Sequence, residues 1–166
     1  MNEATHALIS LEERFAEGIL TGNKLVELRR RPMRLSLGTT IWMYVKVPVG
    51  KVIGSAQVHS LHSLAPQTLW RKYGNVSGLT KTEFFDYFSG IERGFALVLD
   101  NPVRLPRPLP LEKLRSLNDG FHPPQFFQHL ASDSALVTAF NDDVVSRVAI
   151  RRQKTTERYL GCVATA

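Results

Sequence analysis

The sequence is nearly without cysteine. One thiol, Cys162, stands in 166 residues, so no internal disulfide can form and no second thiol sits at metal-ligand spacing. Long apolar runs are missing as well: stretches such as Thr39–Val45 fall far below the roughly 20 residues that cross a bilayer. Met1-Asn2-Glu3 lacks the basic and apolar regions of a secretory leader. His59 and His62 lie three apart without a third ligand, too few for a metal centre. Repeats and low-complexity tracts are absent. Together these absences point to a cytoplasmic protein without membrane association, metal or cofactor. A composition of 43% hydrophobic and 22% charged residues excludes wholesale disorder, and the length suits one buried core.

Acidic residues are in deficit. Lys and Arg number 21 against 15 Asp and Glu, a net charge of +6. The excess is clustered. Lys24, Arg29, Arg30, Arg31 and Arg34 face Glu27 alone, and Arg147, Arg151, Arg152, Lys154 and Arg158 face Glu157 alone. Clustered cations attract phosphate backbones, although a solvated basic surface produces the same composition.

The pattern along the chain is mixed. Ala7–Ile9 reads as a strand, and Ser10-Leu11-Glu12-Glu13 has capping-box spacing. Leu11, Phe15 and Ile19 fall four apart on the helix that follows, and Gly22 suits its left-handed end. Strands are predicted over Lys24–Arg30, Thr40–Lys46 and Lys51–His59. Helices are predicted from Pro66 to Tyr73 and after Thr80-Lys81-Thr82-Glu83, a second capping box whose helix carries Phe84, Phe85 and Phe88. Gly94–Leu99 returns to strand. Asn101–Pro110 holds Pro102, Pro106, Pro108 and Pro110, which predicts an extended edge or loop rather than a central strand. Leu111–Leu117 reads as a short helix, and Pro123-Pro124 as the first turn of another carrying Phe126, Phe127 and Leu130. Val144, Val145, Val148 and Ile150 suggest one more element before a polar end. Short helices dispersed among strands give an α+β class.

The sharpest motif is Gly22-Asn23-Lys24-Leu25-Val26-Glu27-Leu28-Arg29, which fits G-x-K-x-x-E-x-R at a helix-to-strand junction. Leu8-Ile9-Ser10-Leu11, Trp42-Met43-Tyr44, Lys51-Val52-Ile53-Gly54 and Phe121-His122-Pro123-Pro124-Gln125 accompany it in order. In these segments the chain resembles the ASCH domain of the PUA-like superfamily over residues 6–131. The resemblance implies a small β-barrel of five to six strands with flanking short helices. It divides the chain into an ASCH domain, 1–131, and a C-terminal extension, 132–166, that packs on the domain or is partly disordered. It also implies RNA or nucleotide binding beside the motif, and some members of the family hydrolyse nucleic acid or modified nucleosides.

The residues are chemically suited to this. Alternate strand positions put Glu27 and Arg29 on one face about 7 Å apart, close enough to pair or to share a ligand. Arg presents a planar fork to phosphate or a base edge, and a carboxylate accepts an amino group from cytosine or adenine. Lys24, Arg30, Arg31, Lys46 and Lys51 would hold backbone charge, and Tyr44 or Trp42 would stack a base of single-stranded RNA. Each has a plainer reading: Glu27–Arg29 as a structural ion pair, Tyr44 and Trp42 as core, the turn lysines as solvated.

Two functions follow. The first is an RNA- or nucleotide-binding module acting in RNA metabolism or regulation through a basic cleft. The alternative is a hydrolase of RNA or of a modified nucleoside. In places the chain is similar to the small ASCH-fold N4-acetylcytidine amidohydrolases, which use a Lys, a Thr and a Glu. Lys24 matches the lysine and Glu83 the glutamate, while Glu27 stands at the threonine position. A desolvated lysine serves as base or nucleophile, but Glu27 beside it is expected to raise its pKa, and Glu83 already has a capping role. A protein partner docking on the C-terminal extension is a further reading.

Overall fold

Apolar residues run almost unbroken through β1 (His6–Leu11) and β3 (Thr40–Val45) because both strands are covered on both faces. Ile9, Ile41, Met43 and Val45 enter one core cluster. Leu8, Trp42 and Tyr44 point the other way into a second. A computed structural model describes residues 5–145. Its remaining strands are β2 (Val26–Arg29), β4 (Lys51–Leu64), β5 (Gly94–Pro110) and β6 (Phe127–Leu130). They form one mixed sheet in the order β2-β5-β4-β3-β1-β6, curled into a half-barrel of the α+β, PUA-like kind. The β1–β3 pair is parallel and the other four pairs are antiparallel.

Curvature has visible causes. The register shifts between Met43 and Tyr44 and three times along the β4–β5 ladder, and such bulges bend a strand and raise its twist. At Gly54 a Cβ would lie 2.5 Å from the Val103 carbonyl oxygen, so the approach of β4 to β5 at this point requires glycine.

The helices are α1 (Glu13–Thr21), α2 (Pro66–Tyr73), α3 (Lys81–Tyr87), α4 (Leu111–Leu117) and α5, described over 135–145, with a 3-10 turn at Gly74–Val76. None among the described residues is long and apolar enough to cross a membrane. The Thr80–Glu83 capping box forms in both directions. Phe84 and Phe88 are buried with Val26, Leu28 and Leu69 in a third cluster.

Three sequence expectations are corrected. The strand predicted over Lys24–Arg30 begins two residues later, because the Lys24 and Leu25 N–H groups donate to the Gly18 and Val76 carbonyls, and only the Leu25 carbonyl meets β5, accepting from Leu99. Ser10 does not cap α1. It lies inside β1 and its hydroxyl donates to the Pro124 carbonyl at 2.6 Å, leaving Glu12 at the N-cap without a side-chain bond. Pro123-Pro124 opens no helix, because Phe127–Leu130 pairs antiparallel with Ile9–His6 along the β1 edge. The extended edge expected over Asn101–Pro110 does form, as the second half of β5. β2 pairs only with 95–98, so the proline-bearing half of β5 faces β4 alone and needs few outward N–H donors.

Residues 135–145, the helical part of the expected C-terminal extension that is described, pack on the sheet. Leu136, Val137 and Phe140 of α5 are buried in the second cluster, with the Phe140 ring 4.8 Å from that of Trp42. Asp143 accepts from both the backbone N–H and Nε of Arg107, each at 3.1 Å. Trp42 Nε1 in turn donates to His6 Nδ1 at 3.1 Å, and burial lowers the His6 pKa. Val148, Ile150, Cys162 and the 147–158 basic cluster lie outside the described residues. Phe140→Ala is expected to cost about 3–5 kcal/mol in urea unfolding; a loss below about 1 kcal/mol would place α5 outside the domain core.

Candidate nucleic-acid interface

The G-x-K-x-x-E-x-R motif becomes a site through three local choices. Gly22 ends α1 at φ 80°, in the left-handed region, and turns the chain so that Lys24 points back under α1. Its stem then passes where side chains are missing: a Cβ on Gly18 would lie 3.1 Å from Lys24 Cβ, and one on Gly78 3.4 Å from its Cδ. β2 starts at Val26, so its alternation sends Val26 and Leu28 to the third core cluster and Glu27 and Arg29 to the opposite face.

Lys24 is only 4% exposed. Its Nζ donates to the Ser77 carbonyl at 2.5 Å, lies 3.4 Å from Glu27 Oε2, and sits 4.9 Å from the centre of the Phe15 ring. Glu27 Oε1 takes Arg29 Nη2 at 3.1 Å, and the Arg29 guanidinium lies 5.1 Å from the Phe126 ring centre. Arg29 Nε is buried and has no hydrogen-bond partner among the described residues. This is a buried charged triad with one donor left over.

The triad lines a cleft of about 420 Å³. Its lining carries Arg14, Lys24, Arg29 and Lys46 against Glu12, Glu27, Glu83 and Asp86: four cations and four carboxylates, a formal charge of zero. The cleft is therefore mixed rather than basic. Burial pulls the Lys24 ammonium below its ordinary pKa; Glu27 opposes this, and Arg29 and Arg14 add to it. The expectation that Glu27 sets the direction is thus corrected, because desolvation outweighs the carboxylate. Tyr87, also at the cleft, is pushed up by burial. Glu83 is held down by the Thr80 N–H, then by Arg14, with Arg14 Nη1 at 2.9 Å.

Not every expected residue converges here. Lys24, Glu27, Arg29, Lys46 and Glu83 line the cleft. Tyr44 does not: it is 2% exposed in the second core cluster, so it offers no surface for stacking, and β3 alternation is the reason. Lys51 lies outside the lining, exposed at the start of β4. Arg30 and Arg31 are exposed beyond the end of β2, with Arg30 Nη1 donating to the Tyr87 carbonyl at 2.5 Å. Sequence reasoning missed Ser77, Asp86, Tyr87 and Arg14. Phe15 was assigned to the helix's buried stripe, and only the cation above its face separates the two roles. Among the described residues no group of three or more His, Cys, Asp or Glu is arranged to hold a metal ion.

No family model matches the chain. It is 38% identical over 119 residues, 72% of this chain and 80% of the relative, to an ASCH domain-containing ribonuclease of Zymomonas mobilis. The crystal structure of ASCH from Zymomonas mobilis superposes with a TM-score of 0.77 at 35% identity, covering 82% of this chain and 96% of that one. A tyrosine-to-phenylalanine form from the same organism gives 0.73 at 36% identity, over 76% and 90%.

The pKa direction fixes a stability test. In the unfolded chain Lys24 titrates near 10.5 and in the folded chain below that, so the unfolded state binds more protons between the two values. The Lys24 contribution is therefore full above pH 10.5 and is lost as pH falls through the folded value. At pH 7 Lys24→Met, which leaves the Glu27–Arg29 pair intact, is expected to stay within about 1 kcal/mol of wild type or exceed it. The stability difference between them should narrow or reverse as pH rises toward 10.5. A Lys24→Met protein losing several kcal/mol at pH 7 would make the lysine a stabilising group instead.

Proposed function

The chain belongs to the ASCH-domain family, and on that premise we propose that it is a ribonuclease that cuts single-stranded RNA at the Lys24–Glu27–Arg29 cleft. The observation that carries this reading is the buried Lys24, its pKa lowered by desolvation at the floor of an open cleft. The relative's name, a ribonuclease, supports the reaction class.

The residues divide the work as follows. The neutral fraction of Lys24 takes the proton of a ribose 2′-hydroxyl as that oxygen attacks the adjacent phosphorus. The O2′–P bond forms, the P–O5′ bond breaks, and the Lys24 ammonium so formed protonates the leaving 5′-oxygen. Arg29 counters the charge gathering on the phosphoryl oxygens. Glu27 holds both cations in place. RNA binding is then part of the activity rather than its alternative. The mixed lining suits a single nucleotide with donors and acceptors of both kinds, while cations outside the cleft draw in the strand.

A nucleoside amidohydrolase remains a second reading, because Lys24 and Glu83 line one cleft. Against it, Glu83 is held ionised by Thr80 and Arg14, which unfits it to protonate a leaving amine. Glu27 also stands where those enzymes carry threonine.

The test is cleavage of an end-labelled single-stranded RNA. Wild type is expected to leave a 2′,3′-cyclic phosphate, to spare the strand when the scissile ribose is 2′-deoxy, and to speed up with pH until it levels below the ordinary lysine range. Lys24→Met should lower kcat by at least about 100-fold. No cleavage across varied sequences, or wild-type rates in Lys24→Met, would refute the assignment, and turnover of N4-acetylcytidine alone would transfer it to the second reading.

A further inference from the structure

We propose that a shallow pocket lined by Phe95, the ladder partner of Arg29, is a second base subsite that stacks the nucleotide next to the one held at Arg29; this rests on the RNA reading above. The pocket measures about 210 Å³ and is lined by Pro32, Met33, Leu61, His62 and Phe95 among others. That volume is small for a whole ligand and suits one flat ring.

Its position follows from strand register. In the β2–β5 ladder Arg29 pairs with Phe95 and Glu27 with Leu97. Directly opposed residues of an antiparallel pair share a face, with Cβ atoms about 4.5–5.5 Å apart. Phe95 is thus the immediate same-face neighbour of the cleft's arginine. The chain itself joins the two places, since β2 ends at Arg29 and Pro32 and Met33 follow within four residues.

Phe95 is also unlike the other aromatic residues of this half of the molecule. It is half-buried, belongs to none of the three core clusters, and has no ring contact among the described residues. Trp70 and Phe88 each pack a ring against Phe84, edge-on and tilted respectively. A half-buried aromatic ring lining a pocket is suited to a base, because every base has a π-face. Ser63, directly opposite Phe95 in the β4–β5 ladder, adds a polar edge.

The surrounding charge selects a nucleic acid over an apolar occupant. Arg30, Arg31 and Arg34 are exposed on the segment leading into the pocket. Arg93, also exposed, donates through Nε at 3.1 Å to the hydroxyl of Ser63 and through Nη2 to its carbonyl. Glu92 is the one carboxylate within 28–34, 61–63 and 91–97. The cleft is neutral and this rim is positive, so the strand's backbone would lie across the rim while its bases enter the two recesses.

The experiment measures binding of a 2′-O-methyl hexanucleotide, which lacks the attacking hydroxyl, and of a mononucleotide. Phe95→Ala is expected to weaken the hexanucleotide about 5- to 150-fold, to leave mononucleotide affinity unchanged, and to leave the salt slope unchanged. Phe95→Trp should restore hexanucleotide affinity. Arg30→Ala with Arg31→Ala should flatten the salt slope by about 1 to 2 units instead. Wild-type hexanucleotide affinity in Phe95→Ala, with RNA cleavage still lost in Lys24→Met, would overturn the subsite and leave the ribonuclease standing. Failure of wild type to bind the hexanucleotide or cleave RNA would overturn both.

Discussion

The site is organised around one costly act, the burial of the Lys24 ammonium. Taking such a charge out of water costs several kcal/mol even after relaxation. The neighbouring structure is arranged to offset that cost without removing it. The Ser77 carbonyl accepts from the ammonium, the Phe15 face lies beside it, and Glu27 stands 3.4 Å away. Gly18 and Gly78 lack side chains where its stem passes. The 3-10 turn after α2 places Ser77, and Leu25 is fixed by its bond to Val76. The lysine thus ties α1, β2 and the α2–α3 connection to one point. Its pKa still ends below normal, so the offset is incomplete.

The distribution of charge has a separate logic. The whole chain carries +6, yet the cleft lining sums to zero. A uniformly positive groove attracts any polyanion and distinguishes none. A neutral recess of alternating donors and acceptors with cations outside it separates capture, which is long-range and sensitive to salt, from reading, which is local. Arg30 illustrates the boundary: it is exposed, yet its bond to the Tyr87 carbonyl fixes it to the cleft wall.

Local rules carried much of the fold. The Thr80 capping box, the Gly22 helix end, α2 and α4 follow from interactions within a few residues, and all form as the sequence predicts. Where neighbours distant in sequence decide, the reading failed. Ser10 matches a cap, but β1 extends through it because β3 offers a parallel partner. Pro123-Pro124 fits a helix start, but the open edge of β1 takes 127–130 as a strand. The same divide holds at the site. Spacing alone put Glu27 and Arg29 on one face. It could not show that Tyr44 faces the second core, nor that burial outweighs Glu27 at Lys24, since depth is a property of the assembled sheet.

A purely structural reading of the triad has to account for its leftover cost. A Glu27–Arg29 pair kept for stability would satisfy the guanidinium, and a spacer at position 24 would be apolar. Instead Arg29 Nε is buried without a partner among the described residues, a feature uncommon enough in folded proteins to need a reason. Lys24 is held where its charged form is disfavoured. Two unfavourably placed groups five residues apart, both at an open cleft, match the places where folding rules yield to chemistry. Arg29 is also the residue opposite Phe95 in the ladder. Under the proposed reading, the same guanidinium that completes the triad would set the spacing between the nucleotide in the cleft and its neighbour, through the β2–β5 register.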